Sequence, residues 1–235
     1  MTTYFDKAGL TYDLPSKLIG GGGEAEVYEV IAQPNIVAKI YHATESPQSM
    51  NLRYQKLNLM LNNPVSINIL SSSIAWPQQL LYDQAGKFIG YTMQKGSNYA
   101  ELHQAYSPKY RKRLFPKWNA GELALTVATN VAACLDAVHS AGYVIGDINP
   151  RNFLVDRNGH VTLVDCDSFQ VSDPKNPQKP FLCTVTFEGY LAPELCKDQI
   201  WEPVKHARNQ QHDLFALGTL IFQILMDGRH PFSGQ

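Results

Sequence analysis

"GDINPRNFLV" (residues 146–155) sets an acid, Asp147, and a carboxamide, Asn152, five positions apart, with Pro150 between them and an apolar run behind. A carboxylate can take the proton of an attacking hydroxyl. A carboxamide oxygen suits Mg2+, a hard cation that prefers oxygen ligands. After the turn "DRNGH" a short strand, "VTLVD", ends on Asp165, a second carboxylate able to serve a metal. The proline stiffens the loop so that its two polar side chains converge. The same pair also works as turn formers capping their own backbone, and ten residues alone leave both readings open.

Upstream, "KLIGGGGEAEVYEV" (17–30) places Gly20 to Gly23 before an alternating segment, the pattern of a hairpin with a glycine-rich bend. Such a bend lets backbone N–H groups approach phosphate oxygens without Cβ obstruction. "NIVAKIYH" (35–42) follows with Lys39 inside the strand. A lysine on an apolar strand needs an anion, unless it sits at an edge and snorkels to water. Residues 47–62 carry Met50, Tyr54, Leu57 and Leu61 at one-face helical spacing. Two more strands, "SIAWPQQLLYD" and "KFIGYTMQ", flank the turn "DQAG". The pattern then breaks at 94–99, near Gly96, and turns helical. Leu123, Val127, Val131, Leu135 and Val138 form one stripe, with Gly142 as its stop. Residues 165–193, holding Pro174, Pro177 and Pro180, read as one long loop. Residues 213–226 read as a helix apolar almost all round, and so as a buried one.

The bulk properties permit one large domain or two lobes sharing a cleft. Of 235 residues, 44% are hydrophobic and 17% charged, and the formal net charge is −1. That balance offers nothing for nucleic acid, which needs an excess of Lys and Arg. The basic run "KYRKR" (109–113) reads as a solvated loop. The four cysteines, Cys134, Cys166, Cys183 and Cys196, form no C-x-x-C pair, which disfavours zinc and suits a reducing, cytoplasmic setting. The N-terminus lacks the pattern of a secretory signal, and no apolar run reaches the length of a membrane span.

In order, these motifs resemble the protein kinase superfamily from about Leu18 onward. "IGGGGEAEV" resembles its glycine-rich loop, with Gly20 and Gly22 in place and Ala25 where a third glycine is usual. "VAK" resembles the strand that carries the phosphate-binding lysine, here Lys39. "GDINPRN" resembles the catalytic loop, "VDCD" stands where the DFG motif does, "APE" is intact at Ala192–Glu194, and "DLFALG" resembles the start of the central helix, with Asp213 its anchoring acid. The resemblance implies an α+β, two-lobe kinase-like fold. Residues 1–17 would be an extension, 18–95 a small antiparallel-sheet lobe with one helix, and 96–235 a mainly helical lobe that breaks off after the central helix. It also implies ATP and Mg2+ as cofactors and serine or threonine of a protein as acceptor. Asp147 takes the place of the catalytic base, with Asn149 beside it, and Asn152 and Asp165 the places of the metal ligands. Val27, Ala38 and Leu154 would sandwich adenine, Met93 would be the gatekeeper, and Gln94 and Lys95 would offer hinge backbone. Thr184 and Thr186 are candidate phosphorylation sites. "GDINPRN" with "VDCDSFQ" is similar to atypical bacterial kinases that occur with von Willebrand-type and PP2C-type partners.

The departures are specific. No acid lies between Glu45 and Asp83, so Lys39 would meet Gln55 or Asn58 from the helix, or Asp165. Ile145-Gly146 replaces the usual His-Arg, Cys166-Asp167 replaces Phe-Gly, and Asn149 replaces a lysine that neutralises the transferring phosphate. These losses raise a second reading, a nucleotide-binding pseudokinase scaffold. A third, a small-molecule phosphotransferase, is opposed by the "APE" segment.

Overall fold

The computed structural model describes residues 1–65, 72–96, 100–196 and 206–234. The chain divides into two compact units, Met1–Pro64 with Ala75–Lys95, and Val65–Ile74 with Gly96–Gln235. Residues 97–99, part of the expected break, lie outside the described set.

Unit 1 is built on one sheet. Its strands are β1 (Thr2–Phe5), β2 (Thr11–Leu14), β3 (Gly20–Gly21), β4 (Ala25–Val30), β5 (Gln33–Tyr41), β7 (Pro77–Tyr82) and β8 (Phe88–Gln94), while β6 (Ser72–Ile74) belongs to unit 2. Their order is β2-β1-β7-β8-β5-β4-β3. The first 17 residues, given no elements in the sequence reading, thus supply two strands of this sheet. A turn built on Asp6 joins them, its carboxylate accepting from the N–H groups of Ala8 (2.9 Å) and Leu10 (3.0 Å). Helix α1 (Pro47–Asn62) matches the predicted span. Ser46 caps it by accepting from the Ser49 N–H, and Pro47 opens it where no N–H is needed. Its buried Leu57 and Met60 pack toward β7 and β8, and the Trp76 indole donates to the Met60 carbonyl (3.1 Å).

Unit 2 carries a four-stranded sheet in the order β6-β11-β10-β9, where β9 is Ala100–Glu101, β10 Phe153–Val155 and β11 Val161–Leu163. Helices α2 (Leu102–Tyr106), α3 (Pro108–Leu114), α4 (Ala120–Ser140) and α5 (Gln210–Leu225) complete it among the described residues. The stripe read on α4 is its buried face: Leu123, Val127, Val131, Leu135 and Val138 are all within 3% of full burial. Gly142 ends it at φ +82, which a side chain rarely adopts. By length and composition α4 would suit a bilayer, yet it packs on β6, β11 and α5 as a core helix.

Three expectations change. The basic run at 109–113 is helical, within α3, and its Arg111 pairs with Asp227 at 2.7 Å. The loop at 165–193 contains a hairpin of β12 (Val171–Asp173) and β13 (Asn176–Phe181). Pro174 lies in its turn, and Pro177 and Pro180 lie in β13 at the edge of a two-stranded sheet, where a missing N–H is tolerated. Helix α5 is apolar all round but buried on one side only. Ala216, Leu220 and Ile224 are buried, whereas Leu214, Phe222 and Leu225 are 53%, 40% and 46% exposed.

Candidate active site

In unit 1 the antiparallel register sorts the candidates by face, because directly opposed residues point the same way. Lys39 opposes Val27 on β4 and Tyr91 on β8, Val37 opposes Met93, and Gly20 opposes Val27. Gly20, Val27, Lys39 and Met93 therefore share one face, joined by Ala25 through its pairing with Tyr41. Ala38 does not. It neighbours Lys39 along β5, so it turns to the other face, where it packs with Tyr12, Leu14, Val30 and Leu81. Val37, two residues before Lys39, holds the position that the sequence reading gave to Ala38. Gln94 opposes Ile36, so its side chain also leaves this face. Lys95 ties its N–H to the Asn35 carbonyl (2.8 Å) and its ammonium to Glu29 (2.6 Å).

The glycine bend is tied down. Gly22 donates its N–H to the Ala25 carbonyl (2.9 Å), and its own carbonyl meets His42 Nε2 at 3.1 Å. Glu24 pairs with Arg53 of α1 at 2.9 Å, and the Arg53 guanidinium lies over the Tyr41 ring. So the helix that lacks an acid presents a cation to the bend. Of the two amides considered for Lys39, Gln55 is exposed and Asn58 half-buried.

In unit 2 the loop 146–152 folds around Asp147. Asn149 Nδ2 donates to Asp147 Oδ2 (2.9 Å), and Asn152 Nδ2 donates to the Asp147 carbonyl (2.8 Å) and to Oδ2 (3.2 Å). With its side-chain NH2 group committed, Asn152 keeps its side-chain oxygen Oδ1 for a cation. The Val164 N–H donates to the Asn152 backbone carbonyl (2.9 Å), which sets the next residue, Asp165, beside this loop. Asp165 adopts the left-handed conformation (φ 62), and both the Ser168 N–H and hydroxyl close on its carbonyl. Aspartate is among the residues that tolerate this region. Two hard oxygen donors fit Mg2+, which keeps several waters and takes phosphate oxygens for the rest.

Burial raises the Asp147 carboxyl above its ordinary value. Hydrogen bonds from Asn152 and Asn149 oppose the rise, the charge of Asp165 adds to it, and Arg208 opposes it. A carboxylate with a raised pKa is a better proton acceptor than an ordinary one.

Asp213 anchors the loop from α5, as read from the sequence. Its Oδ2 accepts from the Ile145 N–H (2.7 Å) and its Oδ1 from the Gly146 N–H (2.7 Å), and His139 Nε2 lies 2.9 Å from Oδ2. Leu154 lies half-buried on β10 with Gly96 against it. A Cβ at Gly96 would lie 3.0 Å from the Leu154 Cδ1 and 3.2 Å from the Thr162 Cγ2, so any larger residue there must push these side chains aside. Thr184 is exposed and Thr186 half-buried. Glu194 of the "APE" segment has His212 Nε2 at 3.6 Å.

Sequence reading missed Arg208 and Gln170. Arg208 is buried, donates Nη1 to the Gly146 carbonyl, and has its backbone held by Gln170. No local pattern announces a contact 62 residues long. Val37 was within reach, because strand alternation from Lys39 picks it out.

Known proteins bear on these features. A family model described as "Protein kinase domain" matches residues 15–235. The chain is 38% identical over 221 residues to "Protein kinase YegI" of Escherichia coli O157:H7 and 38% over 217 residues to the protein of that name in strain K12. These matches cover 94% and 92% of the chain but 32% of each relative, so the chain spans about a third of their length. Mouse myotonin-protein kinase is 31% identical over 111 residues, 47% of this chain and 17% of that protein. Among solved structures, the ROP18 kinase domain in complex with AMP-PNP and sucrose superposes with a TM-score of 0.67 at 18% identity, covering 97% of this chain and 68% of that one. That likeness establishes the fold, a curled antiparallel sheet unit and a helical unit. The match from residue 15 to the end, together with a loop built around Asp147, makes this chain a member of the protein kinase domain family.

Proposed function

We propose that the chain is an ATP- and Mg2+-dependent protein kinase that transfers the γ-phosphoryl group to serine or threonine hydroxyls. One observation carries the reading: the Asp147 carboxylate is held by the amides of both Asn149 and Asn152, with Asp165 near enough to oppose its ionisation. In phosphoryl transfer, positioning and electrostatics supply nearly all the catalysis. Asp147 orients the acceptor hydroxyl and takes its proton. Asn152 and Asp165 would hold Mg2+, which supplies positive charge to the phosphate oxygens. Lys39 and the backbone N–H groups of the glycine bend would bind the nucleotide phosphates, and Val27, Val37 and Met93 give unit 1 an apolar face suited to adenine; the same role for Leu154 of unit 2 rests on the sequence resemblance.

Exposure of Thr184 supports it as a phosphorylation site. Protein substrates follow from the family. The von Willebrand-type and PP2C-type partners and a cytoplasmic setting rest on the sequence resemblance and on cysteine usage.

A second reading, a nucleotide-binding scaffold, draws on Asn149. Its amide is turned onto Asp147, and it brings no charge to the position where a lysine would face the transferring phosphate. The experiment is an ATP titration with and without Mg2+, paired with a transfer assay. Asp165→Asn is expected to lose Mg2+-dependent binding and transfer together. Asp147→Asn should keep Mg·ATP affinity and lose about 10²-fold or more in transfer, since it acts chiefly in the transition state. A wild-type protein that binds Mg·ATP and shows no transfer removable by Asp147→Asn refutes the enzyme and leaves the scaffold.

A further inference from the structure

The backbone before Asp147 is gripped from both sides by charge. The Gly146 N–H donates to the Asp213 carboxylate (2.7 Å), and its carbonyl accepts from the Arg208 guanidinium. Arg208 is 4% exposed and has been placed with care. The Gln170 side chain takes both of its backbone groups: Oε1 accepts from the Arg208 N–H (2.7 Å) and Nε2 donates to the Arg208 carbonyl (2.7 Å). Gln170 in turn pairs backbone to backbone with Val144 (2.9 and 3.4 Å). The result is a closed circuit from Val144 through Gln170 and Arg208 to Gly146, with Ile145 inside it.

Residue 146 cannot supply this cation itself. Its φ is +77, and a Cβ there would meet the Cys183 Cβ at 2.7 Å, the Cys183 Sγ at 2.9 Å and Arg208 Nη1 at 3.1 Å. The space beside the loop is already filled by Cys183 and Arg208, whose Nη1 also lies 3.3 Å from the Cys183 Sγ. Arg208 Nη2 is buried without a hydrogen-bond partner among the described residues. A buried, half-satisfied guanidinium is costly, and an apolar side chain of similar volume would often be no less stable. A role in the site explains its retention better than a contribution to folding.

We propose that Arg208 is a positioning residue of the transfer site: its guanidinium, delivered from the segment before α5, clamps the Gly146 carbonyl and fixes the peptide from which Asp147 projects. It returns a cation to the loop at the point where the chain has glycine in place of arginine. Because Cys183 shares the same guanidinium, the clamp also joins the loop to the 181–190 segment with no phosphate required.

The catalytic part of this rests on the kinase reading, so the test has two independent readouts on the full chain. The first is amide hydrogen exchange at Ile145 and Gly146, compared with Val131 in the core of α4. The second is kcat and KM for ATP. In Arg208→Met, exchange at Ile145 and Gly146 should quicken about 10-fold or more while Val131 is unchanged. The value of kcat should fall by up to about 10²-fold, the typical cost of misplacing a reacting group by an ångström, and KM should stay within about 2-fold. Arg208→Lys, which keeps the cation and loses the planar fork, should recover part of both losses. If Arg208→Met does not fold, Arg208→Lys is read against wild type by the same two measures. Wild-type exchange at Ile145 and Gly146 together with wild-type kcat in the folded variant overturns the proposal. If the wild-type protein shows no transfer at all, the kinase reading fails, and the exchange measurement alone decides whether Arg208 clamps the loop.

Discussion

Gly90 lies inside β8, opposite Ile40, and the backbone of β5 runs unusually close to it. A Cβ added at Gly90 would sit 2.1 Å from the Lys39 carbonyl oxygen and 3.1 Å from both the Lys39 carbonyl carbon and the Ile40 Cα. All three are backbone atoms, so no side chain can swing away. Ordinary contact begins near 3.4 Å; the strands must part by about 1.3 Å at this point, and Gly90→Ala forces the change where Lys39 is attached. Overpacking of this kind costs roughly 1–3 kcal/mol. About two ladder hydrogen bonds would stretch out of range, at roughly 0.5–1.5 kcal/mol each. Alanine offsets about 0.4–1 kcal/mol by restricting the unfolded chain. The expected net loss is about 1–5 kcal/mol, read as a lower urea midpoint at unchanged slope. ATP affinity should drop as well, because the Lys39 backbone has moved. Gly22→Ala is the control, as its added Cβ would have nothing within 4 Å. A Gly90→Ala protein as stable as the control would refute the close strand approach on which this reasoning depends.

Two further outcomes are expected. Asp213→Ala should cost about 3 kcal/mol or more, measured by thermal or urea melting, because the Ile145 and Gly146 N–H groups lose their acceptors in a buried setting; a loss under about 1 kcal/mol would mean the loop finds other acceptors. Asp147→Asn should stabilise the protein at neutral pH in Mg2+-free buffer. The folded state raises the Asp147 pKa above its ordinary 3.8, so ionisation costs stability as pH climbs through and beyond that value. The advantage of the asparagine variant should therefore shrink toward zero as pH falls below the ordinary carboxylate range, and an advantage independent of pH would count against burial as the cause.

What the sequence made legible was local. Helix α1 and the buried stripe of α4 follow from 3.6-residue spacing, and the stop of α4 at Gly142 follows from turn chemistry. The loop at Asp147 was legible because its residue types carry the chemistry themselves. What escaped falls into two kinds. Some signals were present and misapplied: parity along β5 separates Ala38 from Lys39 and selects Val37. Others have no local trace. Helix α5 is apolar on every side, so its composition cannot say which side meets the core. The exposed, proline-bearing β13 shows no alternation to mark it as a strand. Arg208 looks like any surface arginine until the fold carries it back to Gly146.

Strand β6 sits between α1 and β7 in the chain, yet it pairs in parallel with β11 of unit 2, and the Ser73 and Thr162 hydroxyls meet at 2.8 Å across 89 residues. The polypeptide therefore leaves unit 1, lends a strand to unit 2, and returns before unit 1 is finished. On a ribosome, residues 72–74 would wait for about 90 more to be made before their sheet could close. An engineer wishing to express unit 1 by itself could not simply cut after Lys95. Residues 65–74 would have to be replaced by a short polar linker, or the orphaned strand would offer an unpaired edge to whatever chain came near.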